Sequence, residues 1–87
     1  MDLLKGKNIV ITGASSGIGK ALSIEASKCG ANLVLASRQI DQLEAIKSEI
    51  SNPVSTIFCI QTDVTSQKEC KNLIHLAKQK LGSKDVL

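Results

Sequence analysis

Gly13, Gly17 and Gly19 follow directly on the apolar, β-branched run Asn8-Ile9-Val10-Ile11-Thr12, in the order Gly13-Ala14-Ser15-Ser16-Gly17-Ile18-Gly19. A run of that kind ending on glycine reads as a buried strand, a tight turn and a helix start. The first backbone N–H groups of a helix have no partner within it, and the aligned peptide dipoles make that end positive. A phosphate is the ligand such an end favours. Gly13 lets the chain leave the strand sharply. Gly17 removes a side chain that would hold a phosphate off the backbone, and Gly19 lets the helix lie close on the strand. Ser15, Ser16, Gly17, Ile18 and Gly19 are therefore expected around a diphosphate.

The second chemical position lies after the apolar run Asn32-Leu33-Val34-Leu35-Ala36, where Ser37 and Arg38 follow. A dinucleotide site with this layout carries an acidic residue here when it bonds a ribose 2′-hydroxyl. A hydroxyl and a guanidinium stand here instead. Arg38 can form paired, charge-assisted hydrogen bonds to a 2′-phosphate, which a carboxylate would repel. The pair points to NADP(H) over NAD(H).

Two other glycine-loop chemistries fit less well. Gly19-Lys20 suggests the loop of nucleoside triphosphatases, but the position five before Gly19 is Ala14 rather than glycine, and Ala21 offers no hydroxyl for a magnesium ion. A methyltransferase-type site would need an acidic residue near Ser37-Arg38 for the ribose, and none is present.

The segment Thr12-Gly13-Ala14-Ser15-Ser16-Gly17-Ile18-Gly19, with its G-x-x-x-G-x-G spacing, resembles the cofactor loop of the short-chain dehydrogenase/reductase family. In that family a Ser-Arg pair after the second strand goes with NADP preference. An Asp-Val pair after the third strand contacts the adenine, which the resemblance carries onto Asp63 and Val64. Asp63 could instead favour the N-terminus of the helix that follows. The resemblance implies hydride transfer between nicotinamide and a carbonyl or alcohol, and it covers the first third of a typical family member. The family's catalytic serine and Tyr-x-x-x-Lys pair match nothing here, and the chain contains no tyrosine. The expectation is therefore a partial nucleotide-binding domain over residues 1–87, with the chemistry in a longer parent. The alternative is a non-catalytic truncated form that binds nucleotide weakly or binds only a partner. As an isolated piece it is expected to be marginally stable or prone to aggregate.

The elements that must position these residues alternate regularly. A strand over 8–12 precedes a first helix with Ile18, Leu22, Ala26 and Cys29 on one face, stopped by Gly30. A second strand over 32–36 is apolar on both faces, as a parallel sheet requires. A second helix over 39–51 carries Ile40, Leu43, Ile46 and Ile50 inward and ends at Asn52-Pro53. A third strand runs over 55–61. A third helix carries Cys70, Leu73, Ile74, Ala77 and Leu81, with Ser66 and Glu69 at capping-box spacing and Gly82 as its stop. Asp85-Val86-Leu87 opens a fourth strand. This is an α/β chain, the N-terminal part of a doubly wound parallel (Rossmann) sheet. Strands one to three are expected in the order 3-2-1, with two helices on one face and the third on the other.

Composition agrees. The chain has 87 residues, enough for one small domain, and its 43% apolar content is high enough to fold. Aromatic residues make up 1%, which leaves no platform for stacking nucleic-acid bases. The net charge of +3 comes from scattered lysines, read as solvated helix faces. The three cysteines, Cys29, Cys59 and Cys70, are widely separated and fall on apolar positions, so buried free thiols are expected. His75 reads as a surface residue, and a metal site would need more ligands than this pattern offers. With no secretory leader at Met1-Asp2-Leu3-Leu4-Lys5 and no apolar run long enough for a membrane, a cytosolic protein is expected.

Overall fold

A computed structural model describes residues 5–50, 55–81 and 85–86. The elements are β1 (Asn8–Thr12), α1 (Gly17–Lys28), β2 (Asn32–Ser37), α2 (Ile40–Glu49), β3 (Ile57–Gln61), α3 (Gln67–Leu81) and β4 (Asp85–Val86). The strands form one parallel sheet in the order β3-β2-β1-β4. β1 and β2 pair from Asn8 opposite Asn32 to Thr12 opposite Ala36, and β4 pairs with Ile9 and Val10. In a parallel sheet every strand ends at the same edge, so the loops after β1, β2 and β3 are neighbours.

Each face of the sheet has its own core. On one, α1 and α2 cover Ile9, Ile11, Leu33, Leu35 and Ile57, with Leu43 and Ile46 of α2 buried among them. On the other, Leu73 and Ala77 of α3 close over Val10, Val34 and Ala36. β2 is buried on both sides: Leu33, Val34, Leu35 and Ala36 are all 0% exposed, which explains why its sequence does not alternate. Burying each Leu or Val of this strand contributes about 1.5–3 kcal/mol relative to exposure.

The inner face of α1 differs from the expected one. Ala26 is buried as the spacing predicts, but its companions are Gly19, Ser23 and Ser27, while Ile18 is 78% and Leu22 46% exposed. The helix approaches the sheet too closely for large side chains. The two serines are tolerated there because they return their hydrogen bonds to the helix, Ser23 Oγ to Gly19 O at 2.7 Å and Ser27 Oγ to Ile24 O at 2.7 Å. α1 stops where expected. Gly30 adopts φ +83°, and the Gly30 and Ala31 N–H groups reach back to Ser27 O and Ala26 O at 2.9 and 3.1 Å.

Smaller departures lie at element ends. α2 begins after Gln39 and ends at Glu49, so its expected stop at Asn52-Pro53 lies outside the described residues, as do Gly82 and Leu87. Ser55 and Thr56 precede β3; Ser55 Oγ donates to Ala31 O, Thr56 N to Asn32 Oδ1, and Thr56 O accepts from Leu33 N at 2.7 Å. At the start of α3, Ser66 Oγ accepts from Glu69 N at 3.2 Å, but the Glu69 carboxylate accepts from Asp63 N at 3.0 Å. Half of the capping box forms, and its acid ties down the preceding turn instead. Ile74 is 39% exposed rather than inward. The three cysteines are free and half-buried, not fully buried. Each sits near the end of its element or at the margin of its core, where coverage is incomplete.

Candidate functional site

The loop after β1 is built by its own hydrogen bonds. Gly13 takes φ +62°, a left-handed conformation that turns the chain off the strand. Its carbonyl accepts from Ser16 N at 3.0 Å and Ser16 Oγ at 2.8 Å. Ser16 is the N-cap of α1: its Oγ accepts from Gly19 N at 3.2 Å and its carbonyl from Lys20 N at 2.8 Å. Of the first four N–H groups of the helix, Ser16 thus serves those of Gly19 and Lys20. Those of Gly17 and Ile18 are left with no partner in the helix. A Cβ built on Gly17 would meet nothing within 4 Å, so the backbone there is open to a ligand. A Cβ on Gly19 would lie 2.8 Å from Ala14 Cα and overlap Gly13 O. The two glycines have different tasks: one keeps the approach clear, the other lets helix and loop touch.

The neighbouring strand tips are laced to this loop. Ala14 N donates to Ala36 O at 3.2 Å and Thr62 N to Ser37 O at 2.8 Å. Between them lies a cleft of about 210 Å³, lined by Gly13 and Ser15 of the loop, Ser37, Arg38 and Gln39 after β2, and Thr62 and Val64 after β3. It is smaller than the 300–1,000 Å³ typical of sites that enclose a whole ligand. Its size suits one end of an extended molecule.

Arg38 stands exposed at the rim, and among the described residues its guanidinium makes no ion pair. Gln61 Nε2 donates to the Arg38 carbonyl at 3.1 Å and anchors its backbone. Ser37 is 7% exposed; its Oγ accepts from Gln39 N at 2.9 Å and from Ser15 Oγ at 3.0 Å. Val64 is 55% exposed and offers an apolar surface to the cleft.

Of the residues singled out from sequence, Gly13, Ser15, Ser37, Arg38 and Val64 line this cleft. Ser16, Gly17, Ile18 and Gly19 form the adjoining helix start. Asp63, between Thr62 and Val64 in the chain, does not line the cleft. Its Oδ1 accepts from Thr65 Oγ1 at 2.7 Å and Thr65 N at 2.9 Å, and these bonds, with a smaller contribution from the Arg38 charge, hold its carboxyl below the usual range. That carboxylate closes the turn before α3 rather than capping the helix, which Ser66 does. Sequence reasoning missed Gln39 and Thr62 as lining residues. Their signal was position: each adjoins a residue already placed at a strand tip. Lys20 pairs with Glu49 of α2 at 3.4 Å, away from the loop, unlike the lysine of a triphosphate-binding loop. His75 is exposed on α3. No helix among the described residues is long and apolar enough to cross a membrane.

Comparison with known proteins agrees with this layout. The family described as short chain dehydrogenase matches residues 7–87. An uncharacterized oxidoreductase of Listeria monocytogenes is 45% identical over 85 residues, which are 97% of this chain and 34% of that protein. The crystal structure of a 3-ketoacyl-(acyl-carrier-protein) reductase of Brucella melitensis complexed with NADH superposes with a TM-score of 0.84 at 27% identity, over 95% of this chain and 33% of that one. The alcohol dehydrogenase of Thermococcus sibiricus complexed with 5-hydroxy-NADP gives a TM-score of 0.85 at 32% identity, over 92% and 35%. The chain spans about a third of the length of these three relatives.

Proposed function

The chain belongs to the short-chain dehydrogenase/reductase family, and on that premise we propose that it is the NADP(H)-binding part of an oxidoreductase acting on a carbonyl or alcohol substrate. The family binds a nicotinamide dinucleotide. One similar structure contains NADH and another 5-hydroxy-NADP, so membership leaves the 2′ position open. The observation that carries the NADP(H) reading is Arg38, a guanidinium with no ion pair among the described residues, at the rim of a cleft that also holds Ser37. Among the described residues no carboxylate lines that cleft to accept from a ribose 2′-hydroxyl.

In this reading Arg38 and Ser37 take the 2′-phosphate and the N–H groups of Gly17 and Ile18 take the diphosphate. The adenine lies against Val64, near Asp63. The bound nicotinamide supplies the hydride chemistry, and the residues of this chain bind and orient the dinucleotide. With no tyrosine among the 87 residues, we assign the general acid/base to a longer parent, of which residues 1–87 are a partial Rossmann domain. A second reading is a non-catalytic nucleotide-binding form.

Titrating the complete protein that carries these residues with NADPH and with NADH tests the cofactor. Tighter NADPH binding is expected, and tighter NADH binding overturns the Arg38 assignment. Assaying NADPH oxidation by the 87-residue chain with a panel of carbonyl compounds tests the division of labour. Turnover by that chain would overturn it.

A further inference from the structure

We propose that the β4 side of this unit is an interaction surface for a separate chain, the remaining two thirds of a short-chain dehydrogenase/reductase, which extends the sheet past β4 and sets acidic side chains against Lys71 and Lys78. This needs the family membership of the chain but not the nucleotide preference of its cleft.

The exposed apolar side chains are unevenly placed. Lys20 marks one flank of α1, since it pairs with Glu49 of α2 at 3.4 Å, and α2 packs on β2 and β3. Two residues span about 200° of helix, so Ile18 and Leu22, two before and two after Lys20, stand on the opposite flank, towards β4. They are the large apolar residues of α1 that stand exposed. Cys29, half-buried, follows Leu22 by two turns on the same flank. On the other face of the sheet, Lys80 Nζ stands 4.6 Å from the centre of the Phe58 ring and marks the β3 flank of α3. Leu73 and Ala77 face the sheet. Beyond them the helix turns Cys70 and Ile74 to the β4 side, where with Gln67 and Lys71 they line an open groove of about 410 Å³. Val64, the other large apolar residue exposed among the described residues, belongs to the nucleotide cleft.

β4 lies between these two flanks. It pairs with β1 at Ile9 and Val10, and no strand among the described residues pairs with its other edge. Such an edge is a template for a further strand. Apolar flanks above and below it call for a partner that continues all three layers. In doubly wound sheets of this order further strands follow the fourth, with helices on both faces. The relatives this chain matches are about three times its length, enough to hold them. A second copy of the chain fits less well. A two-fold axis that continues the sheet keeps each helix on its own face, so α3 meets its own equivalent. α3 holds four lysines against one glutamate. Lys71 and Lys78, exposed about one turn either side of Ile74, make no ion pair among the described residues. Self-pairing sets these lysines against each other, and like charges across an interface suppress that partner. A different chain with carboxylates there is favoured.

Mixing the tagged 87-residue chain with the part of the Listeria monocytogenes oxidoreductase beyond its matched third, each as a separate chain, tests this. A one-to-one complex is expected, read as mass by analytical ultracentrifugation without nucleotide, so the result is independent of the cofactor reading. The cysteines report where the partner sits. Alkylation of Cys29 and Cys70 is expected to slow about tenfold or more in the complex. Cys59, on β3 at the far edge of the sheet, is expected not to change. Leu22→Asp and Ile74→Asp alter exposed side chains, so the fold stands, and each is expected to weaken capture about tenfold or more. Lys71→Glu combined with Lys78→Glu is expected to weaken it too, and added salt to weaken the wild-type complex more than that of the double variant. Should the Listeria part be insoluble by itself, co-expression of the two chains gives the same readings. No complex in either format overturns the proposal. So does a complex that leaves Cys29 and Cys70 as reactive as before, or a stable homodimer of the 87-residue chain in which both are already slow. Capture unmoved by reversing the two lysines overturns the acidic character of the partner.

Discussion

Gly19 lies so close over Gly13 that one methyl group on it would overlap the Gly13 carbonyl oxygen and come within 2.8 Å of Ala14 Cα. The obstacle is backbone on both sides, so relief requires the loop or the helix to move. Gly19→Ala is expected to destabilise the fold by about 1–3 kcal/mol, the cost of overpacking a tight contact. Denaturant melts of the two proteins measure it. Gly17→Ala should behave oppositely, because its Cβ meets nothing within 4 Å. Its stability should be unchanged or slightly higher, since alanine suits a helix better than glycine. Its nucleotide binding should fall. A loss of binding with an intact melt separates the open glycine from the packed one.

Arg38 makes no ion pair among the described residues and is exposed, so its removal should leave the melt unaltered. Arg38→Ala is expected to weaken NADPH about ten- to hundredfold, the range for charge-assisted hydrogen bonds, and to leave NADH nearly unaffected. Parallel titrations with the two nucleotides give the ratio directly. Equal losses for both would show that the guanidinium reads something other than the 2′ position.

The opposite edge of the sheet carries a polar ladder. Asn8 Nδ2 donates to Leu81 O at 2.6 Å, Asn32 Nδ2 to Asn8 Oδ1 at 3.1 Å, and Thr56 N to Asn32 Oδ1 at 3.0 Å. These bonds join β1, β2, the approach to β3 and the end of α3. Asn32→Ala removes two of them and is expected to cost about 1–3 kcal/mol. Nucleotide affinity of the folded protein should not change, because the cleft lies at the other end of the strands. Chemical denaturation and a nucleotide titration of the same variant check both halves.

Cys59 gives a dependence on alkaline pH. Burial, with the negative charge of Glu44 adding to it, raises its thiol from 9.0 to about 11. Its Sγ donates to Leu43 O at 3.5 Å. Between those two values the folded chain keeps a proton that the unfolded chain has lost, so stability is full below 9.0 and falls as pH rises towards about 11. Denaturant midpoints across that window should decline in wild type and decline less in Cys59→Val. Alkylation of Cys59 in the folded protein should be slow at neutral pH and quicken across the same window.

Much of the fold is legible in the residues because it rests on patterns local to the chain. The run Leu33-Val34-Leu35-Ala36 has no polar alternation, which already requires cover on both faces, and the helices around it supply that cover. Leu43 with Ile46, and Leu73 with Ala77, recur at helical spacing and are the buried positions of α2 and α3. Gly13, Gly17, Gly19 and Arg38 stand at strand ends that a parallel sheet must bring to one edge. The inner face of α1 was not legible. Apolar spacing favours Ile18 and Leu22, but the close contact at Gly19 admits only small side chains and turns those two outward.

By itself, then, the sequence determined the order of the elements, the strand tips that meet and the chemical character of the groups there, since each follows from periodicity, turn residues and side-chain type. Only the tertiary structure decided that Ser15 reaches Ser37, that Glu69 turns to the Asp63 backbone and that Lys20 leaves the loop for Glu49. The first and last of these partners lie 22 and 29 positions apart in the chain. The Glu69 partner is near in sequence but displaced from the capping-box position. Hydroxyl, carboxylate and ammonium groups choose among all acceptors and donors within about 3 Å, and which ones come within that reach is set by how closely helix and sheet approach, a distance no local pattern encodes.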